Sequence, residues 1–105
     1  MAEEIDDTVG LLERARGGDV AARDALFARH RPRLLRMVEA RLDGRLRARV
    51  DASDVVHDAY LDIAGRLDAY LRRPDLPLFR WMRLVVSERL VDLHRHHLGA
   101  KRRDA

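Results

Sequence analysis

The sequence contains no cysteine and no long apolar run. The lack of cysteine excludes disulfide bridges, thiolate zinc sites and cysteine nucleophiles, so packing alone must stabilise the fold. Apolar runs are short, as at residues 84–86, whereas a helix that crosses a bilayer needs about 20 apolar residues. The first seven residues carry four acidic side chains and no basic one, which is opposite to a signal peptide. We therefore expect a cytoplasmic protein without a membrane segment.

Aromatic residues are also few, with one tryptophan, two tyrosines and two phenylalanines. Apolar residues as a whole reach 47% and charged residues 37%, which is too apolar for a disordered tail and too charged for a membrane protein. A length of 105 residues fits one small domain. The composition therefore indicates a single compact core.

Charge is distributed unevenly along the chain. Residues 1–50 hold 11 arginines and 9 acids, residues 51–68 hold one arginine and 5 acids, and residues 69–105 hold 9 basic residues and 4 acids. A phosphate backbone attracts the basic end and repels the acidic segment. This division suggests that the chain has two different partners.

Helical periodicity dominates the sequence, and no stretch alternates strictly between apolar and polar residues. The pattern predicts an all-α fold, a compact bundle of three longer helices with a short N-terminal helix. The short helix is expected over residues 8–16 and the second helix over residues 20–42, capped by Asp19. Because Pro32 lacks an amide donor, it is expected either to bend the second helix or to split it near His30.

The third helix has the clearest apolar stripe, and Asp51 or Ser53 can cap its first turn. The stripe consists of Val55, Val56, Ala59, Tyr60, Ile63, Ala64, Leu67 and Leu71. Pro74 and Pro77 cannot continue a helix, so they predict a rigid loop after the third helix.

A fourth helix is expected over residues 78–98, followed by a basic linker or tail at residues 99–105. The side chains predicted to be buried on it are Leu78, Trp81, Met82, Val85, Val86, Leu90 and Leu93.

The polar face of the third helix carries an acidic row. Asp54, Asp58 and Asp62 repeat at four-residue spacing, and Leu61 lies among them. These like charges repel one another, although the helix N-terminus compensates the first two in part. The pattern favours a surface that binds a basic, partly apolar protein. The alternative is an ordinary solvated face.

The loop and the fourth helix are rich in arginine and border three aromatic rings. The basic residues are Arg72, Arg73, Arg80, Arg83, Arg95, Lys101, Arg102 and Arg103. Tyr70, Phe79 and Trp81 are rings on which a base could stack, although Trp81 lies on the apolar stripe and is expected in the core. This combination is typical of nucleic-acid binding, and the alternative is again a solvated basic face.

Catalysis and metal binding receive little support. His94, His96 and His97 lie near Asp92, but only Asp92 and His96 share a helix face. No known metal-binding motif surrounds these residues. No nucleophile is paired with a base, and no glycine-rich phosphate loop is present. We expect neither an enzyme nor a bound cofactor.

With these segments placed, the sequence resembles region 2 of a bacterial RNA polymerase sigma factor of the extracytoplasmic-function (ECF) group. Residues 51–61, DASDVVHDAYL, are similar to the family's acidic helix, D-x-x-D-[LV]-V-Q-[ED]-[AT]-[FY]-L. Residues 78–82 and 92–95 resemble its F-x-x-W-[LM] and D-x-x-R signatures, and residues 25–34 resemble its opening helix. The resemblance spans about residues 8–98 and is closest to planctomycete-type members.

The resemblance implies a role in transcription initiation. In the family, the acidic helix binds the clamp helices of the polymerase β′ subunit, which assigns that contact to Asp54, His57, Asp58, Leu61 and Asp62. The following loop captures a flipped base of the non-template strand of the minus-ten promoter element, and the fourth helix tracks the strand. This assigns DNA contacts to Tyr70, Arg72, Arg73, Phe79, Arg80, Arg83, His94 and Arg95.

Two features depart from the family pattern. His57 occupies a position where the family usually has glutamine, so the polymerase contact there could differ or depend on pH. ECF factors also have a second domain that reads the minus-thirty-five element, and this sequence stops in the linker. We expect that domain to be missing, either by trimming or in the natural product, so the chain alone should not select promoters in the usual way.

Two other functions remain open from the residues. One is a stand-alone helical regulator that reads duplex DNA in the major groove, which would not need the acidic third helix. The other is an interaction module, for example one that binds an anti-sigma factor, which predicts no salt-dependent DNA binding. An anti-sigma factor is also a possible partner in the sigma interpretation.

Overall fold

The computed structural model describes residues 2–99, with side chains described for residues 8–98. The chain folds into four α-helices: α1 (Ala2–Arg16), α2 (Val20–Arg41), α3 (Ala52–Arg72) and α4 (Leu78–His94). A short 3₁₀ helix (Gly44–Leu46) follows α2, and a π-helical turn (Arg95–Gly99) follows α4. The described residues contain no strand, which confirms the all-α prediction. Most of the predicted tail, residues 100–105, lies outside them.

The core forms where α2, α3 and α4 meet, while α1 packs against α2. The side chains with the least exposure come from all three central helices, including Leu26, Leu34, Val56, Met82 and Val86. Burial of these apolar side chains is the main source of stability, because each buried side chain of this size contributes about 1.5–3 kcal/mol. Within residues 2–99, no helix is long and apolar enough to cross a membrane.

Cross-helix contacts fix the directions of the helices. Asp62 pairs with Arg89, while Tyr70 stacks on Trp81, so α3 and α4 run antiparallel. His94 at the end of α4 contacts Asp43 just beyond α2, so α2 and α4 run parallel. This topology puts the start of α4 beside the loop that follows α3.

The predicted caps agree with the structure. The Asp19 carboxylate accepts a hydrogen bond from the Ala22 amide (3.1 Å), and Asp51 accepts one from the Ser53 amide (2.8 Å). The hydrogen bond from the backbone lowers the pKa of the Asp19 carboxyl, because it favours the ionised form. Each cap satisfies an amide that has no partner within its own helix.

α2 continues through Pro32 as one helix, so it is not split in two. A proline inside a helix costs about 3 kcal/mol. α2 has buried residues on both sides of the proline, including Phe27 and Leu34, so packing against the neighbouring helices offsets this cost. Arg31 also donates to the Ser53 hydroxyl of α3 at 2.9 Å, next to the proline.

The two ends of the bundle differ from the prediction. α1 begins at Ala2 rather than near residue 8. The fourth helix becomes a π-helical turn after His94 instead of remaining α-helical to residue 98. The wider turn brings Leu98 back to the side of Leu93, and both pack against the core.

Candidate functional site

The acidic face of α3, defined as Asp54, His57, Asp58, Leu61 and Asp62, lies on the side of the helix predicted from the sequence. The first four of these residues are exposed, and Leu61 has 57% of its surface accessible. The helix turns this side outward because the opposite side carries the buried stripe that includes Val55, Val56 and Ile63. The result is an apolar side chain on the surface with carboxylates around it.

Asp62 differs from the other two aspartates of this face. Its carboxylate pairs with Arg89 of α4 at 2.8 Å, and both side chains are about one-third exposed, at 31% and 39%. Such a pair contributes about 0.2–1 kcal/mol to stability. Because Arg89 offsets the charge of Asp62, the uncompensated negative charge of the face lies on Asp54 and Asp58.

Tyr60 holds the acidic face against α2. Its hydroxyl donates to the carboxylate of Asp24, and its ring lies 4.5 Å from the ring of Phe27, centroid to centroid. The hydrogen bond to Asp24 raises the pKa of Tyr60, because it stabilises the protonated phenol. The ring of His57 lies 6.4 Å from that of Tyr60, on the solvent side.

The loop between α3 and α4 is held by Tyr70. This residue is 8% exposed, its ring stacks on Trp81 with centroids 4.5 Å apart, and its hydroxyl donates to the carbonyl of Leu76. Burial raises the pKa of the Tyr70 hydroxyl. The sequence suggested that Tyr70 offers a ring to a base. The structure corrects this picture, because the ring is buried and one of its faces is covered by Trp81.

An open cleft of about 470 Å³ lies beside this loop. Its walls are formed by Arg66, Ala69, Tyr70, Arg73, Asp75, Leu76 and Trp81. Trp81 is partly buried and packs against the core, so it combines a core role with a place in the cleft wall. Arg66 was not predicted for this site. It pairs with Glu88 of α4 at 3.1 Å, a contact that local sequence patterns do not reveal.

Four predicted basic residues are available to a ligand. Arg72 and Arg73 lie at the loop, and Arg80 and Arg83 lie on the first two turns of α4. All four are exposed, and none makes an ion pair or side-chain hydrogen bond within the described part of the chain. Arg95, on the π-helical turn, is exposed as well.

The other two residues predicted to contact DNA are already engaged inside the protein. Phe79 is half-buried, with the guanidinium carbon of Arg33 3.9 Å from its ring centroid and the ring of His30 at 5.3 Å. The Nε2 of His94 accepts a hydrogen bond from the Asp43 amide at 3.1 Å. Phe79 thus links α4 to α2, and His94 links α4 to the segment just after α2, so the structure gives each a packing role that the sequence did not indicate.

His30 is a second residue that sequence reasoning missed. Burial lowers its pKa below the ordinary value, and the positive charges of Arg33 and Arg29 lower it further. Because the lowered pKa keeps the imidazole largely neutral at neutral pH, His30 adds little positive charge beside Arg33 and Arg29. Within the described side chains, no group of three or more His, Cys, Asp or Glu residues converges as metal ligands would.

Comparison with protein families matches residues 5–103 to the family described as ECF sigma factor. No match was found among curated proteins or among solved structures. The family match covers nearly the whole chain and agrees with the helical bundle described above. The chain belongs to the ECF sigma factor family and has the corresponding role in transcription initiation.

Proposed function

We propose that this chain binds RNA polymerase core through the acidic face of α3 and recognises and melts the minus-ten promoter element through the α3–α4 loop and α4. The β′ clamp helices are the proposed polymerase contact, and the non-template strand is the proposed DNA ligand. The observation that carries the proposal is the separation of uncompensated charge. Asp54 and Asp58 lie on one surface of the bundle, and Arg72, Arg73, Arg80 and Arg83 lie on another.

The polymerase contact is supported by the surroundings of Leu61. An exposed leucine among carboxylates matches a partner helix with an apolar groove and basic edges, because buried apolar anchors carry much of the energy of such interfaces. Complementary charges at the rim raise the association rate and the specificity. Tyr60 and Asp62 are bonded to α2 and α4, so the face is rigid before the partner binds. A rigid face loses little entropy on binding.

The DNA contact is supported by the cleft beside the loop. Extruding a base from a duplex costs a few kcal/mol, and stacking on an aromatic side chain returns about 1–3 kcal/mol. Trp81 provides an aromatic wall that is partly exposed, while Arg73 and Arg66 stand beside it. Guanidinium groups bind phosphates with paired hydrogen bonds, so Arg73 and Arg80, which form no ion pair within the described residues, can hold the backbone on either side of an extruded base.

Two double variants test both contacts by fluorescence anisotropy. Asp54→Arg with Asp58→Arg should lose affinity for a β′ clamp-helix fragment by at least about tenfold and keep affinity for a non-template oligonucleotide. Arg80→Ala with Arg83→Ala should show the reverse pattern. Each variant is thus the control for the other, and circular dichroism reports whether both remain helical. Equal losses of both ligands, or no loss of either, would contradict the proposal.

A further inference from the structure

A second basic surface lies where α2 runs beside α4. It is defined here as the α2–α4 basic face and consists of Arg33, Arg36, Arg80 and Arg83. All four side chains are exposed, and none forms an ion pair or a side-chain hydrogen bond with a described residue. Arg33 and Arg36 belong to a helix that the proposed function does not use.

The parallel directions of α2 and α4 bring these arginines together. The Arg33 guanidinium lies over the Phe79 ring, so Arg33 of α2 and Phe79 of α4 lie at the same height along the two helix axes. Arg36 follows Arg33 by three residues and Arg83 follows Phe79 by four, each about one turn further along its helix. Since the helices run in the same direction, Arg36 and Arg83 remain at similar heights. The face therefore extends along both helices instead of being a single point of contact.

Two acidic side chains of these helices, Asp24 and Glu88, point toward α3. Asp24 of α2 binds the hydroxyl of Tyr60 on α3, and Glu88 of α4 pairs with Arg66 on α3. These contacts place both acids on the α3 sides of their helices, away from the α2–α4 basic face. Within residues 8–98, no carboxylate forms an ion pair with any of the four arginines of this face, so the face keeps a positive charge that favours an anionic partner.

The cation–π contact indicates which part of a nucleic acid this face would bind. The Arg33 guanidinium covers one side of the Phe79 ring, and His30 approaches the same ring. A base therefore finds no free ring here on which to stack. The contact also limits the motion of Arg33 while its outward N–H groups remain available, which suits a phosphate oxygen. Such a surface suits duplex DNA, which keeps its bases stacked inside and presents closely spaced phosphates.

We propose that the α2–α4 basic face binds the phosphate backbone of double-stranded DNA adjoining the segment held at the α3–α4 loop. The inference rests on the proposed function, because the loop must hold the neighbouring single strand. It adds Arg33 and Arg36 as duplex-binding residues and assigns α2 a role in DNA contact. Arg80 and Arg83 serve both surfaces, since they lie between the loop and α2.

A fork-junction DNA, with a duplex joined to a single-stranded non-template overhang, tests this inference on the full chain. The variant Arg33→Gln with Arg36→Gln should weaken binding to the fork by about tenfold at low salt. It should also reduce the slope of log affinity against log salt by nearly two, because two phosphate contacts are lost. Affinity for the overhang alone and for the β′ clamp-helix fragment should not change.

The matched control is Arg47→Gln with Arg49→Gln, which removes the same charge from exposed positions between α2 and α3. An equal loss of fork affinity in the control and in the Arg33/Arg36 variant would overturn the inference, since net charge alone would then explain both. If Arg80→Ala with Arg83→Ala weakens overhang binding while the Arg33/Arg36 variant binds the fork normally, the inference fails and the proposed function stands. If neither variant weakens either DNA, both fail.

Discussion

Tyr70 and Trp81 stack with their ring centroids 4.5 Å apart and their planes inclined by 19°. Tyr70 lies in the last turn of α3 and Trp81 in the first turn of α4. The stack therefore joins the two ends of the loop between α3 and α4. The hydroxyl of Tyr70 also donates to the carbonyl of Leu76 within that loop. These contacts fix the shape of the cleft before a ligand arrives.

The variant Tyr70→Phe should keep the ring stack and lose only the hydrogen bond to Leu76. We expect a loss of about 0.5–1.5 kcal/mol in the free energy of unfolding, measured by urea denaturation. Affinity for the non-template oligonucleotide should fall several-fold because the loop is less well held. Tyr60→Phe is the control, since it removes a hydroxyl bonded to Asp24 far from the loop. Equal oligonucleotide affinities for the two variants would refute a role of Tyr70 in shaping the cleft.

The two aspartates at positions 58 and 62 should contribute unequally to polymerase binding. Asp58→Asn removes an exposed charge that no described side chain compensates, whereas Asp62→Asn removes a charge already paired with Arg89. Affinity for the β′ clamp-helix fragment should therefore fall further with Asp58→Asn. Asp62→Asn should instead lower the free energy of unfolding by up to about 1 kcal/mol. The opposite ranking of the two affinities would show that Asp62 leaves Arg89 to bind the partner.

His30 should make the stability of the bundle depend on pH. Its pKa is lowered in the fold, mainly by burial and also by Arg33 and Arg29, while the unfolded chain keeps the ordinary value near 6.5. Below that value the unfolded chain takes up a proton that the folded chain resists, so stability falls as the pH decreases from about 6.5 through the lowered pKa. Above about 6.5 the residue is neutral in both states, and this contribution to the pH dependence disappears.

Urea denaturation across this pH range checks the role of His30. His30→Gln should flatten the dependence on pH that the parent chain shows. Parallel curves for His30→Gln and the parent chain would show that His30 does not cause the dependence.

Core packing at α2 should dominate stability. Leu34 is fully buried at 0% exposure, so Leu34→Ala is expected to cost between about 2 and 5 kcal/mol. Leu84→Ala removes the same atoms at a site that is 52% exposed, and it should change the free energy of unfolding by less than about 0.5 kcal/mol. Thermal and urea unfolding measure both, and comparable costs would contradict the placement of the core.

Local patterns predicted the helices and the acidic face well. The caps at Asp19 and Asp51 and the apolar stripe of α3 depend on neighbours within one or two turns, which a sequence displays directly. The outward position of Leu61 follows from the same periodicity. Pro32 was harder to predict, because its local cost is compensated by packing between helices that the sequence does not specify.

Contacts between distant residues account for what the sequence did not predict. Arg89 neutralises Asp62 across 27 positions, and His94 accepts from Asp43 across 51. Tyr70 and Phe79 were predicted as rings for a base because both border the arginine-rich loop between the third and fourth helices. Their packing partners, Trp81 and Arg33, became evident only once the relative positions of α2, α3 and α4 were known.

The most direct test of the central claim compares Leu61→Arg with Val91→Arg in binding to the β′ clamp-helix fragment. The two parent side chains are similarly exposed, at 57% and 51%, and each substitution adds one positive charge to a helix surface. Fluorescence anisotropy should show that Leu61→Arg abolishes measurable binding while Val91→Arg binds like the parent chain, with both variants folded. Normal binding by a folded Leu61→Arg variant would contradict the assignment of the acidic face to the polymerase.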